Sequence, residues 1–163
     1  MARFLLITHI YPPAVDGGSR AIAKMGDYLH RQGHQILVLS SNCTSSDDFV
    51  KKSHPTVKHP SSILSLPVLT FLHRPFKFLG RFFPLFETLA KGPIFSSLPL
   101  FKLISFHPDY ILAGPMPTTI LFYARFIQLI TKSKLIICPC FHPNDPDFQN
   151  PSLISVLKKA FLS

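Results

Sequence analysis

Four short apolar runs constrain this chain more than anything else in it. They are Arg3–Thr8 (RFLLIT), Gln35–Ser40 (QILVLS), Pro108–Gly114 (PDYILAG) and Lys134–Cys138 (KLIIC). Their apolar residues are consecutive rather than alternating, as in strands covered on both faces. Such strands pair in parallel and need long crossovers between them. The spacers supply these crossovers. His9–Gly18 is a loop dense in turn formers, and a helix follows from about Ser19, with Ile22, Met25, Gly26 and Leu29 on one face. Ser19 is placed to cap its start, and Gly33 to end it in a left-handed conformation. Met116–Thr131 is a second helix, with Ile120, Ala124 and Ile127 on its inner side. The alternation predicts an α/β fold, a doubly wound parallel sheet of Rossmann-like type. A length of 163 residues fits one domain with one core.

The remaining segments are less regular. Asn42–Ser62 is polar and reads as a loop. Ile63–Leu72 is apolar but contains Pro67, which suits an edge strand or an extended segment. Residues 71–106 form a basic, Phe-rich insertion: five cations (Arg74, Lys77, Arg81, Lys91, Lys102) stand against one acid, Glu87. Prolines 84, 93 and 99 predict broken helices there. Either the rings pack into the core, or they face a membrane, with rings at the headgroup boundary and cations toward acidic lipid. Rings beside arginine also suit single-stranded nucleic acid, but no nucleic-acid motif accompanies them and no nucleic-acid partner is expected. Phe141–Gln149 is a Pro-rich loop. Asn150-Pro151 then opens a helix whose stripe of Leu153, Leu157, Ala160 and Phe161 is still running at Ser163.

A formal charge of +9 favours anionic partners. There is no secretory signal, and the three cysteines are an odd number, so a reducing cytoplasm is the expected compartment. Cys138-Pro139-Cys140 is not the two-spaced redox or zinc pattern. No apolar run reaches the about 18 residues of a spanning helix; attachment to a membrane surface stays open.

Chemistry is expected at the carboxyl ends of the strands. Gly17-Gly18 before a helix suits a phosphate cradle, because bare backbone and first-turn amides can approach an anion; it also suits a plain tight turn. The spacing excludes the dinucleotide fingerprint, since Ser19 and Ile22 stand where further glycines belong, and no P-loop is present. His142, after the run KLIIC, and His9, after the run RFLLIT, could each bond a hydroxyl or be ordinary loop residues. Asp145 and Asp147 could orient a hydroxyl or act as base, or serve as turn formers beside proline.

Phe4–Ser40, FLLITHIYPPAVDGGSRAIAKMGDYLHRQGHQILVLS, resembles the opening of family-4 glycosyltransferases of the GT-B fold. The likeness lies in strand, Tyr11-Pro12-Pro13, Gly17-Gly18, a helix with Leu29, Gly33-His34, and strand. His107–Pro117 and Lys134–Pro146 resemble later strands of the same half. The resemblance implies that residues 1–163 are the amino-terminal, acceptor-side half of a two-domain enzyme, incomplete at the carboxyl terminus. It implies a retaining transfer from a nucleotide-sugar to a glycan or lipid-linked acceptor, at the cytoplasmic face of the membrane. No metal or other cofactor is expected; the leaving diphosphate helps take the acceptor proton, stabilised by positive charge. Carried over, Gly17 and Gly18 meet the donor phosphates, His142 is catalytic beside the transferred sugar, and His9 and Asp145 are acceptor-side candidates. The family's donor motifs belong to a second lobe with no counterpart here. The chain is thus expected to be a fragment, or one subunit of a split enzyme, inactive without its donor-binding domain. The competing expectation is a non-catalytic basic module that docks on anionic membrane.

Overall fold

The computed structural model describes residues 1–13, 17–45, 48–49, 62–114 and 118–137. Among the described residues, five strands form one sheet: β1 (Arg3–Ile7), β2 (Gln35–Ser41), β3 (Ile63–Leu66), β4 (Tyr110–Ala113) and β5 (Lys134–Ile137). Their order is β3-β2-β1-β4-β5, and every pairing is parallel. The described residues connect them through α1 (Gly17–Arg31), α2 (His73–Leu79), α3 (Pro84–Ala90), α4 (Leu100–Phe106) and α5 (Thr118–Thr131). The expected α/β, Rossmann-like parallel sheet is present.

The consecutive apolar residues are explained by the two faces of the sheet. Leu5, Ile7, Leu37, Leu39, Ile111 and Ala113 point to one side, where they meet Leu103 of α4 and Ile120, Leu121, Ala124 and Ile127 of α5. Leu6, Val38 and Leu112 point to the other and meet Ile22 of α1. Leu5, Leu6 and Ile7 are fully buried, so β1 is covered above and below. Burying each such side chain stabilises the fold by about 1.5–3 kcal/mol.

Helix α1 ends as its sequence predicts. Gly33 is left-handed (φ 82°), its amide bonds the His30 carbonyl at 2.9 Å, and the His34 amide bonds Leu29 at 3.2 Å. These are the paired bonds of a Schellman stop. The start differs from expectation. The helix begins at Gly17, so the two glycines form its first turn, and Ser19 is a buried third residue rather than the cap. Strand β3 lies at the sheet edge but ends at Leu66, and a 3-10 turn occupies Thr70–Leu72. Pro67 cannot donate to a ladder, and the chain turns instead into an isolated antiparallel bridge between Val68 and Phe95.

The Phe-rich stretch divides between the two expected roles. Pro84 opens α3 and Pro99 directly precedes α4, so these prolines fall where a helix needs no amide bond. Phe95 is buried, its amide donates to the Tyr123 hydroxyl at 3.0 Å, and Phe106 packs on the core. Phe71, Phe78, Phe82, Phe83 and Phe101 are exposed.

Contacts at Gly80, at His73 and between the Phe76 and Phe86 rings, which meet edge-on at 5.4 Å, hold α2 to α3. At Gly80, an added Cβ would lie 2.8 Å from both Cα and N of Glu87, so only glycine fits this approach of the two backbones. His73 is buried; its Nδ1 stands 3.0 Å from the Ala90 carbonyl, and its Nε2 has no hydrogen-bond partner among the described residues. Burial lowers the His73 pKa, only partly offset by the Ala90 bond. The unfolded chain therefore binds this proton more readily than the folded one. Stability from a neutral His73 is complete above its ordinary value and declines as pH falls below it.

The thermal midpoint should accordingly drop between about pH 7.5 and about pH 5.5, and His73→Gln, which keeps a donor for Ala90, should flatten that slope in calorimetry. Gly80→Ala should cost about 1–3 kcal/mol in urea unfolding, because backbone rather than a flexible side chain must yield.

Candidate functional site

Because all strands are parallel, their carboxyl ends share one edge. The order reverses at β1, whose neighbours are β2 on one side and β4 on the other. The crevice at such a reversal is where open α/β sheets bind ligands. Here it receives the loop after β1, the first turn of α1 and Gly114. The Gly114 amide reaches the Ile7 carbonyl at 3.4 Å.

The loop after β1 is fixed to the end of β2. The Thr8 amide bonds the Leu39 carbonyl at 3.0 Å, and the Thr8 hydroxyl bonds the Ile10 carbonyl at 3.0 Å. The Ser41 amide and hydroxyl both donate to the His9 carbonyl, at 3.2 and 2.5 Å. Ile10, Cys43 and Phe49 form a small buried cluster beneath. Asp48 secures the turn that carries Phe49: one carboxylate oxygen accepts from the Thr44 amide (3.2 Å), the Thr44 hydroxyl (2.6 Å) and the Ser45 amide (3.0 Å). The His9 ring meets Phe49 edge-on at 6.3 Å. His9 is thus held at the edge by its backbone, with its ring half-exposed.

Gly17 and Gly18 come to the same edge as the first two residues of α1. The first-turn amides have no partner within a helix, and the positive end of the dipole lies there. The first turn carries no acid, while His30 and Arg31 stand in the last turn, where they complement the dipole. Asp16, the preceding residue, lies outside the described residues. His142, Asp145 and Asp147 also lie outside them; they follow β5, whose carboxyl end opens on this edge.

One feature of the sheet's α1 side was not legible in the sequence. A groove beside α1 is lined by Tyr11, Asp27, His30, Ile36, Val38 and Ile63, among others. Burial raises the Tyr11 pKa, and the Asp27 carboxylate adds to the effect. The i, i+3 spacing of Asp27 and His30 marks them as neighbours on a helix, but only the tertiary fold brings Tyr11 to them.

Among the described residues, no group of three His, Cys, Asp or Glu is placed to hold a metal ion, and no helix is long and apolar enough to cross a membrane. These elements define a Rossmann-like α/β domain with an open carboxyl edge. No protein-family model matches the chain, and no curated protein matches it.

Cys43 reports on the integrity of this edge. Burial raises its thiol pKa to about 11, with Asp48 adding and the Ser41 bond opposing. At mildly alkaline pH, alkylation mapped by mass spectrometry should therefore be about a hundredfold slower at Cys43 in the folded chain than in the unfolded one. Ser41→Ala, which removes the bond that opposes this rise, should slow it further in the folded chain.

Proposed function

We propose that this chain is the acceptor-binding lobe of a retaining glycosyltransferase, working with a donor-binding lobe on the same or a separate chain. One observation carries the reading. The strand, Tyr-Pro-Pro, Gly-Gly, helix, Gly-His, strand pattern of Phe4–Ser40 occupies β1, α1 and β2, with the paired glycines in the first turn of α1 at the carboxyl edge of the sheet. In this reading the amides at Gly17 and Gly18 approach the diphosphate of a nucleotide-sugar. His142 acts beside the transferred sugar, and His9 and Asp145 meet a glycan or lipid-linked acceptor. The leaving diphosphate takes part in accepting the acceptor proton, and no metal is required. The lobe works at the cytoplasmic face of the membrane, attached peripherally.

A second reading, a non-catalytic membrane-docking module, draws support from the exposed rings of Phe71, Phe78 and Phe82. It leaves the Gly17–Gly18 turn without a ligand, and the two readings part there.

The test is an NMR titration of the full chain with pyrophosphate and a panel of nucleoside diphosphates. Saturable shifts are expected at the amides of Gly17, Gly18, Ser19 and Arg20. Gly18→Val, whose branched Cβ blocks close approach, should weaken binding by up to about thirtyfold, the full worth of a helix-terminus anion contact. Shifts confined to surface lysines, or none that saturate, would remove the transferase reading.

A further inference from the structure

The helix α2 and its flanks carry a surface feature independent of the carboxyl edge. Helical winding runs past the ends of α2 in both directions. The 3-10 turn at Thr70–Leu72 leads into it, and the His73 amide bonds the Thr70 carbonyl. Beyond Leu79, the amides of Gly80, Arg81 and Phe82 bond the carbonyls of Phe76, Phe78 and Leu79 at 2.8, 3.2 and 3.0 Å. The side chains from Phe71 to Phe82 can therefore be placed around one cylinder.

On that cylinder Phe71, Phe78 and Phe82 fall seven and four residues apart, along one stripe. Their exposures are 68%, 59% and 66%, although each ring could have been buried. The Phe78 and Phe82 rings touch, with centroids 5.9 Å apart. Arg74, Lys77 and Arg81 are spaced three and four apart, forming a second exposed stripe alongside. The inner side holds buried His73. No acid occurs from Phe71 to Phe86, and the next one, Glu87, is paired with Lys91 at 3.2 Å.

We infer that this face of α2 docks the protein onto an anionic lipid bilayer, with Phe71, Phe78 and Phe82 entering the headgroup boundary and Arg74, Lys77 and Arg81 meeting lipid phosphates. Charge complementarity favours lipid over protein as the occupant. Among the described residues no acid pairs with the cations beside the rings, whereas the centre of a protein interface is depleted of lysine. The face is a convex helix surface rather than a groove. At seven residues α2 is far too short to span, which leaves it lying in the plane of the interface. The inference names one face within the 71–106 insertion and excludes Phe101, which is 89% exposed on α4. It does not depend on the transferase reading.

The test is co-sedimentation of the full chain with vesicles of phosphatidylcholine alone and of phosphatidylcholine mixed with phosphatidylglycerol. Binding is expected to the anionic vesicles only and to weaken with salt. Each interfacial cation contributes about fivefold, so replacing Arg74, Lys77 and Arg81 together by Gln should cost roughly a hundredfold. Phe78→Ser and Phe82→Ser should each cost roughly tenfold, while Phe101→Ser should leave binding unchanged. Circular dichroism checks that the variants fold. Equal binding to neutral vesicles, or a loss at Phe101 matching that at Phe78, would overturn the assignment. So would self-association through this face without vesicle binding. Nucleoside-diphosphate binding at Gly17–Gly18 is read separately, so either result can fail without the other.

Discussion

The parallel pairing of β1 between β2 and β4 is the constraint on which the rest of the structure depends. A central strand buried on both faces must be apolar at every residue, and Leu5, Leu6 and Ile7 are. Parallel neighbours force crossovers through helices, and the helices must lie on both sides to cover both faces. With β2 on one hand and β4 on the other, the chain leaves β1 for α1 on one face of the sheet and leaves β4 for α5 on the other. That divergence opens a crevice at the carboxyl edge. The first turn of α1 arrives there because it follows β1, whatever ligand it meets.

The edge is also held firm where a ligand would press on it. The His9 carbonyl accepts two donors from Ser41, and Asp48 gathers three donors onto one oxygen. These bonds satisfy loop backbone that would otherwise be buried without partners. The cluster of Ile10, Cys43 and Phe49 fills the space under them. A loop tied in this way presents His9 in one position, which suits a group that must orient a ligand.

What could be read in the sequence follows the same physics. The four strands with consecutive apolar residues were legible to within a residue or two; burial on both faces explains the run in β1, β2 and β4, whereas β5 lies at the sheet edge with Ile136 and Ile137 exposed among the described residues. β3 was legible only as an edge, since Pro67 marks a stop without saying where pairing ends. The start of α1 was placed two residues late because Gly17-Gly18, of low helix propensity, looks like a loop. Gly17, Gly18 and His9 could be assigned to the carboxyl edge from topology alone. The groove of Tyr11, Asp27 and His30 could not, because it joins residues from a loop and a distant helix face. His142 and Asp145 rest on the sequence reading alone. The Phe-rich stretch was ambiguous because the same residue type serves both roles. Phe95, bridged to Val68, and Phe106, at the end of α4, are core, while Phe78 and Phe82 are surface.

The connection from β3 to α2 relates the two proposed surfaces. β3 ends at Leu66 on the carboxyl edge, and the turn leading into α2 begins at Thr70. Four residues of extended chain reach at most about 14 Å. The connection is also fixed: the Leu69 amide bonds Ile94 at 2.7 Å, and the Ser96 amide bonds Pro67 at 3.0 Å. The helix carrying Phe78 and Phe82 is therefore anchored beside the same edge that carries His9, Gly17 and Gly18. A domain resting on lipid through α2 would hold that edge close to the headgroups, within reach of an acceptor that never leaves the membrane. A basic aromatic face placed at the opposite, amino edge would have no such consequence. If both proposals hold, the position of the anchor, more than its composition, would link attachment to chemistry.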